Sequence, residues 1–110
     1  MADPEIRMIY ITASNADEAH RIGRTLVEER LAACANIIGP VRSLYWWEGK
    51  LQDEPEAICL CKTRAALVAR LTQRVKELHG YQCPCVVAVP IDGGNPAFIE
   101  WVTRETGEEY

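Results

Sequence analysis

Apolar residues along this chain alternate between uninterrupted β-branched runs and stretches with a period near 3.6, and that alternation sets the order of elements. Ile6 to Thr12 carries Ile6, Met8, Ile9, Tyr10 and Ile11, which predicts a strand apolar on both faces and so inside a sheet. Ser14-Asn15-Ala16-Asp17-Glu18 supplies a cap followed by acids, the opening of a helix. Ala19, Ile22, Leu26 and Val27 recur at helical spacing and carry that helix to about Leu31. Ala33 to Trp47 is strand-like, bends or bulges at Gly39-Pro40, and resumes its alternation at Val41. There Ser43, Tyr45 and Trp47 share one face, Leu44 and Trp46 the other. Glu48-Gly49-Lys50 predicts a hairpin turn and Leu51 to Thr63 the return strand, with Pro55 placing its early part at an edge. Ala65 to Leu78 predicts a second amphipathic helix closed by His79-Gly80. Pro84 to Ile91 reads as a last strand, Asp92 to Pro96 as a loop, and Ala97 to about Thr106 as a short helix.

The order is β-α-β-β-α-β plus a terminal helix, the α+β plan of a ferredoxin-like sandwich. It predicts a single domain over 1–110 with its core at about 6–106. Two helices cover one face of such a sheet, yet the strands are apolar on both. A four-stranded sheet with one bare apolar face invites a partner, so the pattern predicts an oligomer. The hairpin strands exceed the mean strand length of about five or six residues. Tyr45, Trp46 and Trp47 sit near the hairpin tip as interface anchors.

Composition narrows the function. The chain has 110 residues, 48% hydrophobic and 25% charged, with 12 basic and 16 acidic side chains and a net charge of -4. No basic stripe offers itself to nucleic acid. The longest apolar run, Val86 to Ile91, falls far short of the ~20 residues needed to span a bilayer, so no membrane partner is expected. Met1 to Glu5 lacks the basic-then-apolar order of a signal peptide, and the expected location is cytoplasmic. Cys34, Cys59, Cys61, Cys83 and Cys85 are odd in number and expected to be reduced there.

Five segments, in order, resemble one family. Leu31-Ala32-Ala33-Cys34-Ala35-Asn36-Ile37 resembles its L-A-A-C-x-N-I signature, and Ser43 to Gly49 its S-x-Y-x-W-x-G hairpin. Lys62-Thr63 is similar to its K-T pair, His79 to Pro84 to its H-P-Y-x-x-P turn, and Phe98 to Trp101 to its terminal aromatic-x-x-W. By resemblance the chain is identified as a member of the divalent-ion tolerance (CutA) family. That implies a homotrimer related in shape to PII-type signalling proteins, with long hairpins wrapping neighbours. It also implies tolerance of divalent metals, with copper or another divalent ion as the bound metal, and no catalytic activity. Gly80 stands where the family has Pro, Cys85 where it has Glu, and Ile11 where some members place a first-strand Cys.

Candidate site residues follow from chemistry and resemblance together. Cys59 and Cys61 read as core packing, since buried cysteine behaves as a small hydrophobe. Cys83 and Cys85 are either packing or a soft contact for Cu(I), and His79 is either a helix terminus or a metal or ligand contact. His20 reads as solvated. Lys62, near the end of an apolar strand, needs a partner: an acid across subunits or an anionic ligand. Glu56, Tyr81, Trp47 and Trp101 are expected to line the same intersubunit cleft. Cys34, Tyr45 and Trp46 are expected at the trimer interface. No Ser-His-Asp or Cys-His arrangement and no phosphate-binding glycine loop can be assembled. The expected function is a trimeric binder of a metal or small ligand between subunits. The alternative is a scaffold or signalling protein acting through an unknown protein partner.

Overall fold

The computed structural model describes residues 5–107; residues 1–4 and 108–110, which the single-domain expectation includes, lie outside it. Strand β1 (Ile6–Ala13) leads into helix α1 (Ala16–Glu28); β2 (Cys34–Trp47) and β3 (Lys50–Arg64) form the long hairpin. A 3-10 turn over Ala65–Leu67 opens α2 (Val68–Leu78), and β4 (Val86–Pro90) and α3 (Pro96–Arg104) follow. The sheet is antiparallel in the order β2-β3-β1-β4. This is the expected ferredoxin-like α+β plan, with β1 between β3 and β4.

Register divides the sheet into two faces. Ala35, Cys61, Ile9 and Ala88 stand in one row across the four strands, and Ile37, Cys59, Ile11 and Val86 in the next on that face. Against these rows α1 and α2 bury Ile22, Leu26, Leu71 and Val75, each burial stabilising by about 1.5–3 kcal/mol. Gly23 lets α1 come close: a Cβ there would lie 3.0 Å from that of Ala35 and 3.1 Å from the Cys59 sulfur. The opposite rows run Cys34–Lys62–Met8–Val89, then Asn36–Leu60–Tyr10–Val87. No helix of the first pair reaches them, and Ile38, Val87 and Val89 are exposed. Helix α3 closes only the Ile6 end, where Val102 packs on Ile6 and Ala33. The bare apolar face expected from the strand patterns is therefore present.

The hairpin leaves the body of the molecule. β1 pairs with β3 only from Ala57 to Arg64, so Pro55 lies where β3 has a neighbour on one side alone, as expected. The turn places Glu48 at φ 50° and Gly49 at φ 78°, the two left-handed residues of a two-residue hairpin. The register slips between Ile38 and Val41 at Gly39-Pro40, where a Gly39 Cβ would come within 3.1 Å of that of Ala57. The result is a molecule 49 Å long with a radius of gyration of 14.6 Å, above the ~13 Å of a compact chain this size.

Several boundaries differ from expectation. Helix α1 ends at Glu28 rather than near Leu31, because Arg30 turns left-handed at φ 62° and the Leu31 and Ala32 N–H groups donate back to the Leu26 carbonyl. That turn drives Leu31 and Ala32 into the core. Helix α2 ends with an extended His79 instead of a left-handed glycine, since Gly80 does not adopt a positive φ. Strand β4 starts at Val86 rather than Pro84, so Cys85 precedes the strand on which the sequence places it.

Candidate functional site

The turn after α2 is tied to the start of α1 and to the end of β1 by hydrogen bonds. Asn15 caps α1 by accepting from the Glu18 N–H (2.8 Å), and Glu18 at the third position reaches back to the Ser14 N–H (2.8 Å). This is capping-box logic displaced by one residue. The other Glu18 oxygen accepts from the Gly80 N–H (3.0 Å), a donor that a proline at this position would lack. Burial works against the Glu18 charge, but hydrogen bonds from Ser14 and Gly80, with His79 nearby, hold its carboxyl below the ordinary range. His79 is engaged at both nitrogens: the Tyr81 N–H donates to Nδ1 (3.0 Å), leaving Nε2–H to donate to the Thr12 carbonyl (2.7 Å). Its side chain is fully buried.

This loop holds Tyr81 over the open face of the sheet, where its hydroxyl donates to Glu56 Oε2 at 2.6 Å. Burial first, and then the Glu56 bond, push the Tyr81 phenol well above its usual range. Glu56 is 6% exposed. The pair lines a recess of about 800 Å³, walled by Tyr10, Thr12, Tyr45 and Trp47 and by the turn carrying Cys83. Cys85 and Arg42 also line it, and Arg42 is ion-paired with Asp53.

Of the residues expected at one intersubunit cleft, Glu56, Tyr81 and Trp47 line this recess within the chain, together with Tyr45, Cys83 and Cys85. Lys62, Trp101 and Cys34 do not line it. Lys62 is half-buried and donates to the Asn36 side-chain oxygen (2.7 Å), one row over from Cys34. Trp101 packs beside Phe98, ring centroids 5.5 Å apart, in the cluster under α3. Trp46 is 73% exposed near the hairpin tip. His79 stands behind the recess as a strut.

The residues present do not fit a metal ion inside one subunit. Among the described residues, no three His, Cys, Asp or Glu side chains converge as a ligand set. Both His79 nitrogens are already spent on the backbone. Cys83, Cys85 and His79 therefore do not form a closed site within the chain. Cys59 and Cys61 lie buried under α1 with sulfurs 3.6 Å apart, and their mutual hydrogen bond and burial push the Cys61 thiol far up. They pack, as expected, in the helix-covered core, whereas Cys83 and Cys85 line the recess on the open face.

Sequence reasoning missed Tyr10, Thr12 and Glu18. Tyr10 and Thr12 alternate with the core residues Ile9 and Ile11, which was signal enough to put them on the open face. The Asn15-x-x-Glu18 spacing marked Glu18 as a capping residue, but nothing local tied it to Gly80.

These features define a class: a ferredoxin-like α+β chain with a carboxylate–phenol recess on the sheet face its first two helices leave open. Residues 7–105 match the family described as CutA1 divalent ion tolerance protein, and the chain belongs to that family. It is 44% identical to the divalent-cation tolerance protein CutA of Archaeoglobus fulgidus, over 86% of this chain and 91% of that one. It is 42% identical to protein CutA 1, chloroplastic, of Oryza sativa over 92% of its own length, but spans only 57% of the rice protein. The crystal structure of CutA1 from Oryza sativa superposes with a TM-score of 0.93 at 39% identity, covering 97% of this chain and 98% of that one. The divalent cation tolerance protein of Thermus thermophilus gives 0.90 at 39% identity, over 93% and 99%.

Proposed function

We propose that this chain is a non-enzymatic binding protein of the cytosol whose three copies close over the open sheet faces and take a small ligand or metal ion in the clefts between them. The observation that supports this best is the position of the recess. Its floor residues Tyr10, Thr12 and Glu56 belong to the same uncovered face as exposed Val87. A copy seated on that face would both bury the apolar rows and wall the recess. A metal ion needs donors from two copies, since one chain lacks a set among its described residues. Cys83 and Cys85 line the recess and offer the soft sulfur that Cu(I) prefers. The name of the Archaeoglobus fulgidus relative, divalent-cation tolerance protein, and the family's description agree with a metal-linked role.

Light scattering with a native mass spectrum of protein purified without added metal tests the assembly and any retained ion together. Three copies are expected, and a stable single chain at micromolar concentration removes the reading. Calorimetry with Cu(I), Cu(II) and Zn(II) on the protein and on C83S/C85S then tests the metal. Unchanged affinity in the variant removes the two cysteines from it.

A second reading, a scaffold acting through a protein partner, draws on the hairpin, where Trp46 is 73% and Leu51 60% exposed. A partner recovered from extract regardless of chelator, and lost in W46A, would favour it.

A further inference from the structure

The chain carries two Cys-x-Cys pairs, and the fold treats them oppositely. Cys59 and Cys61 lie on β3, buried under α1, and their spacing of two brings the sulfurs to 3.6 Å. Their mutual hydrogen bond, and then burial, push the Cys61 thiol far up, so that pair is closed to chemistry from solvent. Cys83 and Cys85 have the same spacing in a turn that belongs to no helix or strand. Cys83 is exposed, Cys85 is half-buried, and both are free thiols lining the recess. Two residues span at most about 7 Å between Cα atoms, so the covalent chain alone keeps the two thiols together. The fifth cysteine, Cys34, stands opposite Lys62 on β2 and does not line the recess.

What such a pair can hold follows from its donors. Among the described residues no three His, Cys, Asp or Glu side chains gather as a ligand set, so the turn offers two sulfurs without a third donor. The pair on β3 shows that this spacing brings sulfurs to 3.6 Å, wide for a disulfide bond of about 2.05 Å but open to an atom placed between them. That atom must be soft, because thiol sulfur is a soft donor. It must also fill its remaining valence from its own substituents. Trivalent arsenic bearing one organic group meets both conditions, since it bonds two sulfurs and keeps its third bond for carbon.

We propose that the Cys83-Pro84-Cys85 turn is a dithiol site that takes up a trivalent organic arsenical and closes a ring through both sulfurs. The step is a condensation. With phenylarsine oxide the two S–H bonds break, two As–S bonds form, and the arsenic oxygen leaves with both thiol protons as one water. Arsenic stays trivalent, so neither oxidant nor reductant is consumed. The product is neutral and adds no charge to the recess that holds Glu56. The second As–S bond forms within one molecule, which is worth about a hundredfold or more over a single thiol. This site goes beyond the shared cleft and does not depend on it, because both sulfurs come from one turn of one chain.

Phenylarsine oxide tests it, added in slight excess to the reduced, purified full chain and read by native mass spectrometry. One arsenical per chain is expected, retained in excess 2-mercaptoethanol and released by dithiothreitol, since only another dithiol matches the ring. C83S and C85S are each expected to lose the adduct that resists 2-mercaptoethanol, a drop in affinity of about a hundredfold or more, while C34S keeps it. Peptide mapping of the adduct on the parent chain locates it whether or not a variant folds, and Cys83 with Cys85 is the expected place. No adduct that survives 2-mercaptoethanol, an adduct kept in C83S or C85S, or one mapped to Cys59 and Cys61 overturns the proposal. Light scattering on the same samples separates this site from the assembly. A trimer without the adduct removes only the dithiol site, whereas a single chain that keeps the adduct removes the shared cleft and leaves the dithiol site standing.

Discussion

The two faces of one sheet solve opposite problems with nearly the same residues. On one, Ile9, Ile11, Cys59 and Cys61 are fully buried under α1 and α2. On the other, Met8, Tyr10, Leu60, Val87 and Val89 alternate with them along the same strands and meet no helix but α3 at one end. The first face is finished within the chain. The second is apolar but wet, and it carries the recess with its carboxylate, phenol and thiols. Residues that stabilise this subunit and residues that give it something to bind thus differ by a single step along a strand, because successive side chains point to opposite faces.

The largest effect that tests this contrast is a cavity in the closed face. Leu71→Ala is expected to cost about 2–5 kcal/mol, read from the shift of a urea midpoint. On the open face, Val87→Ser is expected to leave a much smaller mark on unfolding and to act on assembly, read by light scattering. A Val87→Ser loss as large as that of Leu71→Ala would erase the distinction.

Overpacking the closed face comes next. Gly23→Ala would press a methyl group against Ala35 and Cys59. The expected net cost is about 1–3 kcal/mol, even though alanine favours the helix. A stabilised variant would mean that Ala35 and Cys59 give way to the added methyl group, which would lie 3.0 Å from the Ala35 Cβ as they stand.

The loop that joins the faces should respond to acid. The folded pKa of Glu18 is depressed, so its stabilisation is complete above its unfolded value near 4.5 and fades as pH falls below that toward the folded value. Glu18→Gln is therefore expected to be less stable than the parent at neutral pH by about 1–3 kcal/mol, with the gap narrowing as the pH drops below that unfolded value. Thermal melts from roughly pH 3 to roughly pH 7, which bracket the carboxylate range, would check it. A gap constant with pH would show that the loop is held by packing instead. Gly80→Pro removes the N–H that Glu18 accepts and is expected to flatten the same pH dependence.

The smallest effect is expected on the hairpin. Arg42 and Asp53 form an exposed ion pair, and solvent screens it. Arg42→Ala is expected to leave the urea midpoint unchanged, and a clear drop would show that the pair holds the hairpin.

Much of this arrangement was legible in the chain. The order of elements, the central position of β1, the two apolar faces, the edge character at Pro55 and the hairpin turn all follow from patterns within a dozen residues. The recess was half legible. Glu56, Tyr81 and Trp47 are expected at one intersubunit cleft, and within one chain they line one recess. Lys62 and Trp101, expected at the same intersubunit cleft, do not line this recess within one chain. Strand alternation and helical spacing cannot say which residues from distant elements converge, and His79 shows the limit most plainly. In the sequence it is a candidate ligand, whereas in the fold it is a buried strut between Thr12 and Tyr81.

By itself, then, the amino-acid order determined which segments become strands and helices and that one sheet surface would be left greasy and uncovered. Those outcomes depend on neighbours in the chain. Tertiary structure alone decided that Glu18 ties down Gly80, that Nε2 of His79 is committed to Thr12 and that Tyr81 reaches Glu56, contacts that join residues 62, 67 and 25 positions apart. Such contacts depend on where whole elements come to rest, and that is set by packing the entire core at once.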